Sequence, residues 1–84
     1  MSASQEFVET ESVEYVTVER EEGQWLYTIR TPFKVIEQVD EVFIAGRRQE
    51  AVKFKSQDFG SCKIEDTINT ETGARWVHII PDDW

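Results

Sequence analysis

The clearest pattern in the chain is the alternation of apolar and polar positions over residues 25–31. Trp25, Tyr27 and Ile29 occupy every second position, so they share one face of an extended segment. Aromatic and β-branched residues fill this stretch, as is typical of a half-buried strand. Pro32 ends it, because proline cannot donate a hydrogen bond to a neighbouring strand. We therefore predict a central strand here, in a small antiparallel sheet.

Similar alternation predicts about four more strands, over residues 13–20, 51–55, 62–66 and 74–80. The Gly-containing turn at 21–23 would join the first strand to the central one as an antiparallel hairpin. A second hairpin is expected around residues 69–73, and residues 45–48 indicate a turn. In the last strand we place Trp76, His78 and Ile80 on one face, with Trp76 in the core.

Residues 32–43 fit two patterns. Thr31-Pro32 is a favourable helix start, and apolar residues at 35, 36, 39, 42 and 43 follow the spacing of one helical face. Alternation instead allows two short strands, and the β-branched content favours them. We predict a helix over residues 32–43, with the strands as the alternative.

The resulting fold class is α+β and mostly β: an antiparallel sheet of about five strands with one helix near 32–43. If that segment is extended, the fold becomes an all-β compact barrel or sandwich. Residues 13–80 would form one domain, between a flexible acidic tail at 1–12 and an acidic tail at 81–84. The predicted core contains Val16, Val18, Trp25, Tyr27, Ile29, Val39, Phe43, Val52, Phe54, Ile64 and Trp76.

Chain length and cysteine content narrow the class of protein. A chain of 84 residues buries a limited core and leaves little room for an internal catalytic cleft, which favours a non-enzymatic role. Cys62 is the sole cysteine, so no internal disulfide is expected, and a reducing cytoplasm follows (the host cytoplasm if the gene is viral). Neither a signal peptide nor an apolar run long enough to span a bilayer is recognisable.

Charge is distributed unevenly, with a formal net charge of −8. Carboxylates dominate residues 1–23 and 64–84, whereas basic side chains are in slight excess in between. Such a chain is repelled by nucleic acids and anionic membranes, and it favours a basic partner surface. The one basic patch, around Phe54, comprises Arg47, Arg48, Lys53 and Lys55; charge neutralisation within the fold explains it better than anion binding does.

Candidate catalytic and metal-binding residues are few. Cys62 and His78 are the only thiol and imidazole, and a nucleophilic pair would need them within hydrogen-bonding distance. Asp58-Phe59-Gly60 matches the kinase metal-binding triplet but lacks the other kinase motifs. The N-terminal glutamates lack the pattern of a calcium loop, and we interpret them as a solvated face. No catalytic residue, cofactor or metal is therefore predicted.

The function that these features favour is a protein-interaction module, an inhibitor or adaptor that binds a basic surface of a partner. A nucleic-acid-processing enzyme is one such partner, since phage anti-defence proteins that block such enzymes are similar in size and charge. Two alternatives are a small-ligand-binding domain with a pocket lined by Trp25, Tyr27 and Trp76, and a structural subunit of a larger assembly. The predicted partner-binding residues are Glu14, Tyr15, Glu19, Glu21, Glu22, Asp82, Asp83 and Trp84.

Overall fold

The computed structural model of the chain describes residues 5–20, 26–49 and 54–84. Strands dominate these residues, and none of them lies in a helix, let alone one with the length and apolar content to cross a membrane. The strands within the described ranges are β1 (Gln5–Val13), β2 (Thr17–Arg20), β3 (Tyr27–Arg30), β4 (Val35–Val39), β5 (Glu41–Ile44), β6 (Arg47–Arg48), β7 (Gln57–Asp58), β8 (Cys62–Asn69) and β9 (Arg75–Pro81).

These strands form two sheets that share one hydrophobic core. The larger sheet has the order β1-β8-β9-β5-β6, and the smaller has the order β4-β3-β2-β7. All neighbours are antiparallel except β5 and β9, which run parallel. Buried residues from both sheets belong to a single cluster. The mostly β prediction is confirmed, and the arrangement is that of a sandwich.

The helix predicted over residues 32–43 is wrong, because the chain there forms β4 and β5. Thr31 accepts hydrogen bonds from the amides of Phe33 and Lys34, both at 3.0 Å, but in a tight turn between β3 and β4 rather than at a helix start. At Asp40 the chain leaves the smaller sheet, and the Asp40 amide donates to the Arg75 carbonyl at 2.8 Å. Thr31 is therefore a turn residue and not the predicted helix start, since a threonine hydroxyl serves turns and helix starts alike.

Strand β1 lies where the sequence predicted an N-terminal tail over residues 1–12. Its backbone pairs along the length of β8, from Gln5 opposite Asn69 to Val13 opposite Cys62. A register shift between Phe7 and Glu9 marks an irregularity of the kind common in edge strands. A polar segment can thus form a strand by pairing its backbone with the open edge of β8, even though its side chains show no strong apolar alternation.

Both predicted hairpins are observed in the strand pairing: β2 with β3, and β8 with β9. The turn at 21–23 itself lies outside the described residues. Between β5 and β6, Ala45 and Gly46 both have positive φ, 52° and 82°, as in a two-residue type I′ turn. Of the strand predicted over 51–55, only residues 54 and 55 are described, and they are not in a strand. Beyond them, β7 lies between the predicted strands over 51–55 and 62–66, where no strand was expected.

The core contains most of the predicted residues that the structure describes. Val16, Val18, Tyr27, Ile29, Val39 and Ile64 are buried as predicted. Phe54 is partly buried and meets the Tyr27 ring edge-to-face at 5.1 Å, whereas Trp25 and Val52 lie outside the described residues. Phe43 and Trp76 were placed in the core incorrectly; the additional core residues are Val13, Ile36, Val42, Cys62, Val77 and Ile79.

Candidate interaction surface

A row of four rings follows the outer face of the larger sheet. Val42 and Val77 are fully buried and directly paired across β5 and β9, so the residues that alternate with them face outward. In this way Phe43 is brought opposite His78, and Glu41 opposite Trp76. We call Trp76, Phe43, His78 and Trp84 the aromatic row.

Consecutive rings of the row are in edge-to-face contact. Ring centroids are 5.6 Å apart for Trp76 and Phe43, 6.4 Å for Phe43 and His78, and 6.1 Å for His78 and Trp84. The interplanar angles of 73°, 71° and 68° leave ring faces as well as edges available at the surface. The first three rings are half-buried, and Trp84 is 68% exposed.

An open groove of about 400 Å³ lies along this row. Phe43, Trp76 and His78 supply its rings, Gly46 contributes backbone, and Glu41 contributes a carboxylate. Volumes of this order accommodate a small organic group or a large side chain. The groove therefore combines aromatic walls with one negative charge.

Carboxylates border the aromatic row on several sides. Glu41 pairs with the exposed Arg48, with Nη2 and Oε2 3.0 Å apart. Glu65, opposite His78 on β8, places Oε1 3.5 Å from the imidazole Nδ1. Asp82 and Asp83 are exposed in the segment that carries Trp84. Arg48 and Lys63 lie on the same face, opposite Phe43 and Ile80, so the four carboxylates form an acidic border in which two cations are interspersed.

Backbone geometry fixes the imidazole of His78. The Gly46 amide donates a hydrogen bond to Nε2 at 3.0 Å, so Nε2 is the acceptor and a neutral ring carries its proton on Nδ1, towards Glu65. Gly46 reaches this position because it adopts a φ of 82° in the β5–β6 turn. The turn thus holds one ring of the row in place.

Trp84 folds back along the sheet. Its amide donates to the Pro81 carbonyl at 3.1 Å, and the Asp82 amide donates to the Ser61 carbonyl at 3.4 Å. The indole lies over Gly46, close enough that a Cβ on that glycine would be 3.5 Å from it. Packing against His78 and Gly46 orients the indole while most of it stays exposed.

Most of the predicted partner-binding residues that the structure describes gather at one end of the larger sheet. Val13 pairs with Cys62, and Cys62 pairs with Pro81, so the chain leaves this end both at Glu14-Tyr15 and at Asp82–Trp84. Glu19 is elsewhere, on the outer face of the smaller sheet, where Arg30 donates to it at 2.9 Å. Glu21 and Glu22 lie outside the described residues.

The pocket proposed for a small ligand between Trp25, Tyr27 and Trp76 does not form around the two described residues. Tyr27 is buried between the sheets, whereas Trp76 is on the outer face of the larger sheet. Trp25 lies outside the described residues. The groove along the aromatic row uses Trp76 in a different setting.

The basic patch is only partly described. Arg47 and Arg48 are exposed on β6 and Lys55 is exposed, whereas Lys53 lies outside the described residues. Phe54 does not interleave with these charges, because its ring packs on Tyr27. In Asp58-Phe59-Gly60, Asp58 ends β7, the Phe59 amide donates to the Val16 carbonyl at 2.8 Å, and the Gly60 amide donates to Asp58 Oδ1 at 3.3 Å. Among the described residues, no group of three or more His, Cys, Asp or Glu is placed to hold a metal ion.

Cys62 and His78 lie on opposite faces of the larger sheet and form no pair. Cys62 is fully buried in the core, and burial together with the charge of Asp82 raises the pKa of its thiol from 9.0 to about 11. His78 faces outward beside Gly46. The thiol is consequently protonated and shielded at neutral pH.

We expect Cys62 to resist alkylation in the folded protein. At pH 8, iodoacetamide should label it on the order of 100-fold more slowly in buffer than in 8 M urea, because access and thiolate population are both low. Stability should also fall as pH rises from 9 towards 11, since the unfolded thiol loses its proton first. Mass spectrometry of timed samples measures the labelling, and equal rates in buffer and urea would contradict the assignment.

Sequence reasoning missed the position of the aromatic row, although the signal was present in β9. The segment Trp76-Val77-His78-Ile79 alternates large amphipathic rings with β-branched aliphatic residues. Aliphatic residues are more often fully buried than Trp or His, so the Val77–Ile79 face was the better core prediction. Glu41 and Phe43 pair with Trp76 and His78 on β9, so the face on which they lie follows from the face that β9 buries.

Comparisons with protein-family models, with curated proteins and with solved structures found no match to this chain. Its function is therefore inferred from its own residues.

Proposed function

We propose that this protein is a non-enzymatic interaction module that binds a basic surface of a partner protein through the aromatic row and its acidic border. The observation that carries the proposal is the row itself: four rings in contact on a solvent-facing sheet surface, with Glu41, Glu65 and Asp83 around them. Aromatic anchors surrounded by complementary charge are the usual source of affinity in protein interfaces.

Electrostatics supports a basic partner. The net charge of −8 accelerates association with a positive surface and disfavours nucleic acids and anionic membranes. A nucleic-acid-processing enzyme presents such a surface, so the module would act as an inhibitor or adaptor that covers it. The buried sole cysteine is compatible with a reducing cytoplasm as the place of action.

The anchoring role belongs to Trp84 and its neighbours. Trp84 is already oriented by His78 and Gly46, so little conformational entropy is lost when a partner covers it. Tyr15 is 42% exposed and leaves the same end of the larger sheet, which would extend the contact beyond the row. Glu19 forms an ion pair with Arg30, so it would contribute less to partner binding.

Affinity capture with matched variants tests this function. The immobilised chain should retain a basic protein from native host lysate at low salt. Once purified, this partner should bind the chain at least tenfold more weakly at 0.5 M salt than at low salt. Asp82→Asn with Asp83→Asn, or Trp84→Ala alone, should weaken binding severalfold. The control, Glu37→Gln with Glu71→Gln, changes the charge equally at exposed positions outside the row.

Three outcomes would overturn the proposal: binding that is independent of salt, equal losses in the test and control pairs, or a partner that binds normally after Trp84→Ala and Phe43→Leu. Self-association of the purified chain, measured by light scattering, would instead support the structural-subunit alternative.

A further inference from the structure

The groove beside Glu41 has the features of a site for an organic cation. Phe43 and Trp76 meet at 73° with centroids 5.6 Å apart, so they form two walls of different orientation. The parallel register of β5 and β9 puts the Glu41 carboxylate on the same face, directly opposite Trp76. Ring faces attract cations through their quadrupole, and a nearby carboxylate adds charge complementarity.

We propose that this groove binds the guanidinium group of an arginine side chain from the partner protein. The inference rests on the proposed function, because it names the chemistry by which the acidic, aromatic surface recognises a basic partner. The guanidinium would stack on Trp76 and Phe43 and donate to Glu41.

The protein's own Arg48 shows that the rim of the groove holds a guanidinium. Its Nη2 is 3.0 Å from Glu41 Oε2, at the edge of the groove that Glu41 lines. The Arg48 side chain is 66% exposed and that of Glu41 is 40% exposed, so the pair is weak and exchangeable. A partner arginine would compete with Arg48 for the same carboxylate and gain ring contacts besides.

Guanidinium suits this site better than the ammonium group of lysine. It is planar, less strongly hydrated, and able to stack on a ring while donating two hydrogen bonds to a carboxylate. An ammonium retains its hydration more tightly and binds as a point charge. An open, partly hydrated groove therefore discriminates in favour of arginine.

The first test uses a small probe, so that it is independent of any partner. Nα-acetyl-arginine amide is titrated into the ¹⁵N-labelled chain, and the indole N–H signals are followed and assigned by Trp76→Phe and Trp84→Phe variants. The Trp76 signal should shift in a saturable way. Nα-acetyl-lysine amide should bind about threefold more weakly, and the uncharged isostere Nα-acetyl-citrulline amide at least about fivefold more weakly.

Two variants are expected to change the affinity in opposite directions. Glu41→Gln should weaken binding of the arginine probe about fivefold, whereas Arg48→Gln should strengthen it about two- to fivefold by removing the competing guanidinium. Phe43→Leu keeps an apolar side chain but removes the ring face, and should cost about two- to fivefold. The exposed Glu71→Gln serves as the charge-matched control and should change nothing.

Failures of this inference and of the proposed function are distinguishable. The arginine site would be overturned if the citrulline probe bound with the same affinity as the arginine probe, if the lysine probe bound more tightly, or if Arg48→Gln had no effect. The proposed function would still stand in these cases, provided that partner capture remained sensitive to salt. Conversely, the probe could behave as expected while partner binding is unaffected by Glu41→Gln and Arg48→Gln. That result would show that the partner does not use this groove, and it would overturn the assignment to a partner arginine.

Discussion

Replacing Asp66 with alanine is expected to lower the free energy of unfolding by about 3 kcal/mol, because it leaves a partly buried guanidinium without its carboxylate. The Asp66 side chain is 1% exposed. Arg75 donates to both of its oxygens, from Nε at 2.9 Å and from Nη2 at 2.6 Å. These hydrogen bonds raise the pKa of Arg75. Arginine stays protonated in proteins even without such a partner, so Arg75 cannot relieve the loss of Asp66 by deprotonation.

Lys34 adds to the expected cost. Burial lowers the pKa of Lys34, the charge of Asp66 raises it, and the charge of Arg75 lowers it. Without Asp66, the repulsion between the charges of Lys34 and Arg75 would no longer be offset by that carboxylate. The 27% exposure of the Arg75 side chain lets water moderate this effect, which keeps the expected loss at the lower end for a broken buried pair.

Urea unfolding followed by tryptophan fluorescence measures this loss. Glu71→Ala removes an exposed carboxylate in the β8–β9 loop and should change stability by less than about 0.5 kcal/mol. The double variant Asp66→Leu with Arg75→Met should recover most of the loss, since an apolar pair of similar volume removes the uncompensated charge. A loss below about 1 kcal/mol for Asp66→Ala would mean that the pair contributes little to folding.

Local signals predicted the hairpins and much of the core. The turns at 21–23 and 69–73 predicted the β2–β3 and β8–β9 pairs, and the alternation at Tyr27 and Ile29 predicted two buried residues. These features depend on residues close together in the sequence. The alternation of Cys62, Ile64 and Asp66 likewise predicted β8, and all three side chains are buried.

The wrong predictions depended on contacts between distant parts of the chain. Residues 31–43 carry a start signal and an apolar spacing that fit a helix, but tertiary contacts with β3 and β9 select strands. The parallel pairing of β5 with β9 joins segments more than 30 residues apart, and no local pattern specifies it. The aromatic row depends on that pairing, so the residues that form it could be identified only once the fold was known.

Which face of β9 is buried determines both the core and the proposed site. Two neighbouring isoleucines, Ile79 and Ile80, test which face that is. Ile79 is fully buried, whereas Ile80 is half-buried on the outer face, opposite Lys63. Ile79→Ala should therefore lower the free energy of unfolding by about 3–4 kcal/mol, through lost burial and a cavity between the sheets. Ile80→Ala should cost at most about 1 kcal/mol.

Chemical denaturation of both variants gives the two values, and Ile79→Val, with an expected loss of about 1 kcal/mol, provides a milder change if Ile79→Ala fails to fold. The reverse order, with Ile80 the more sensitive position, would place Trp76 and His78 in the core. The aromatic row would then be inaccessible to a partner, and the arginine site would be lost with it. The expected order instead leaves the Val77–Ile79 face to the core and the ring-bearing face to the partner, because alternate residues of one strand cannot share a face.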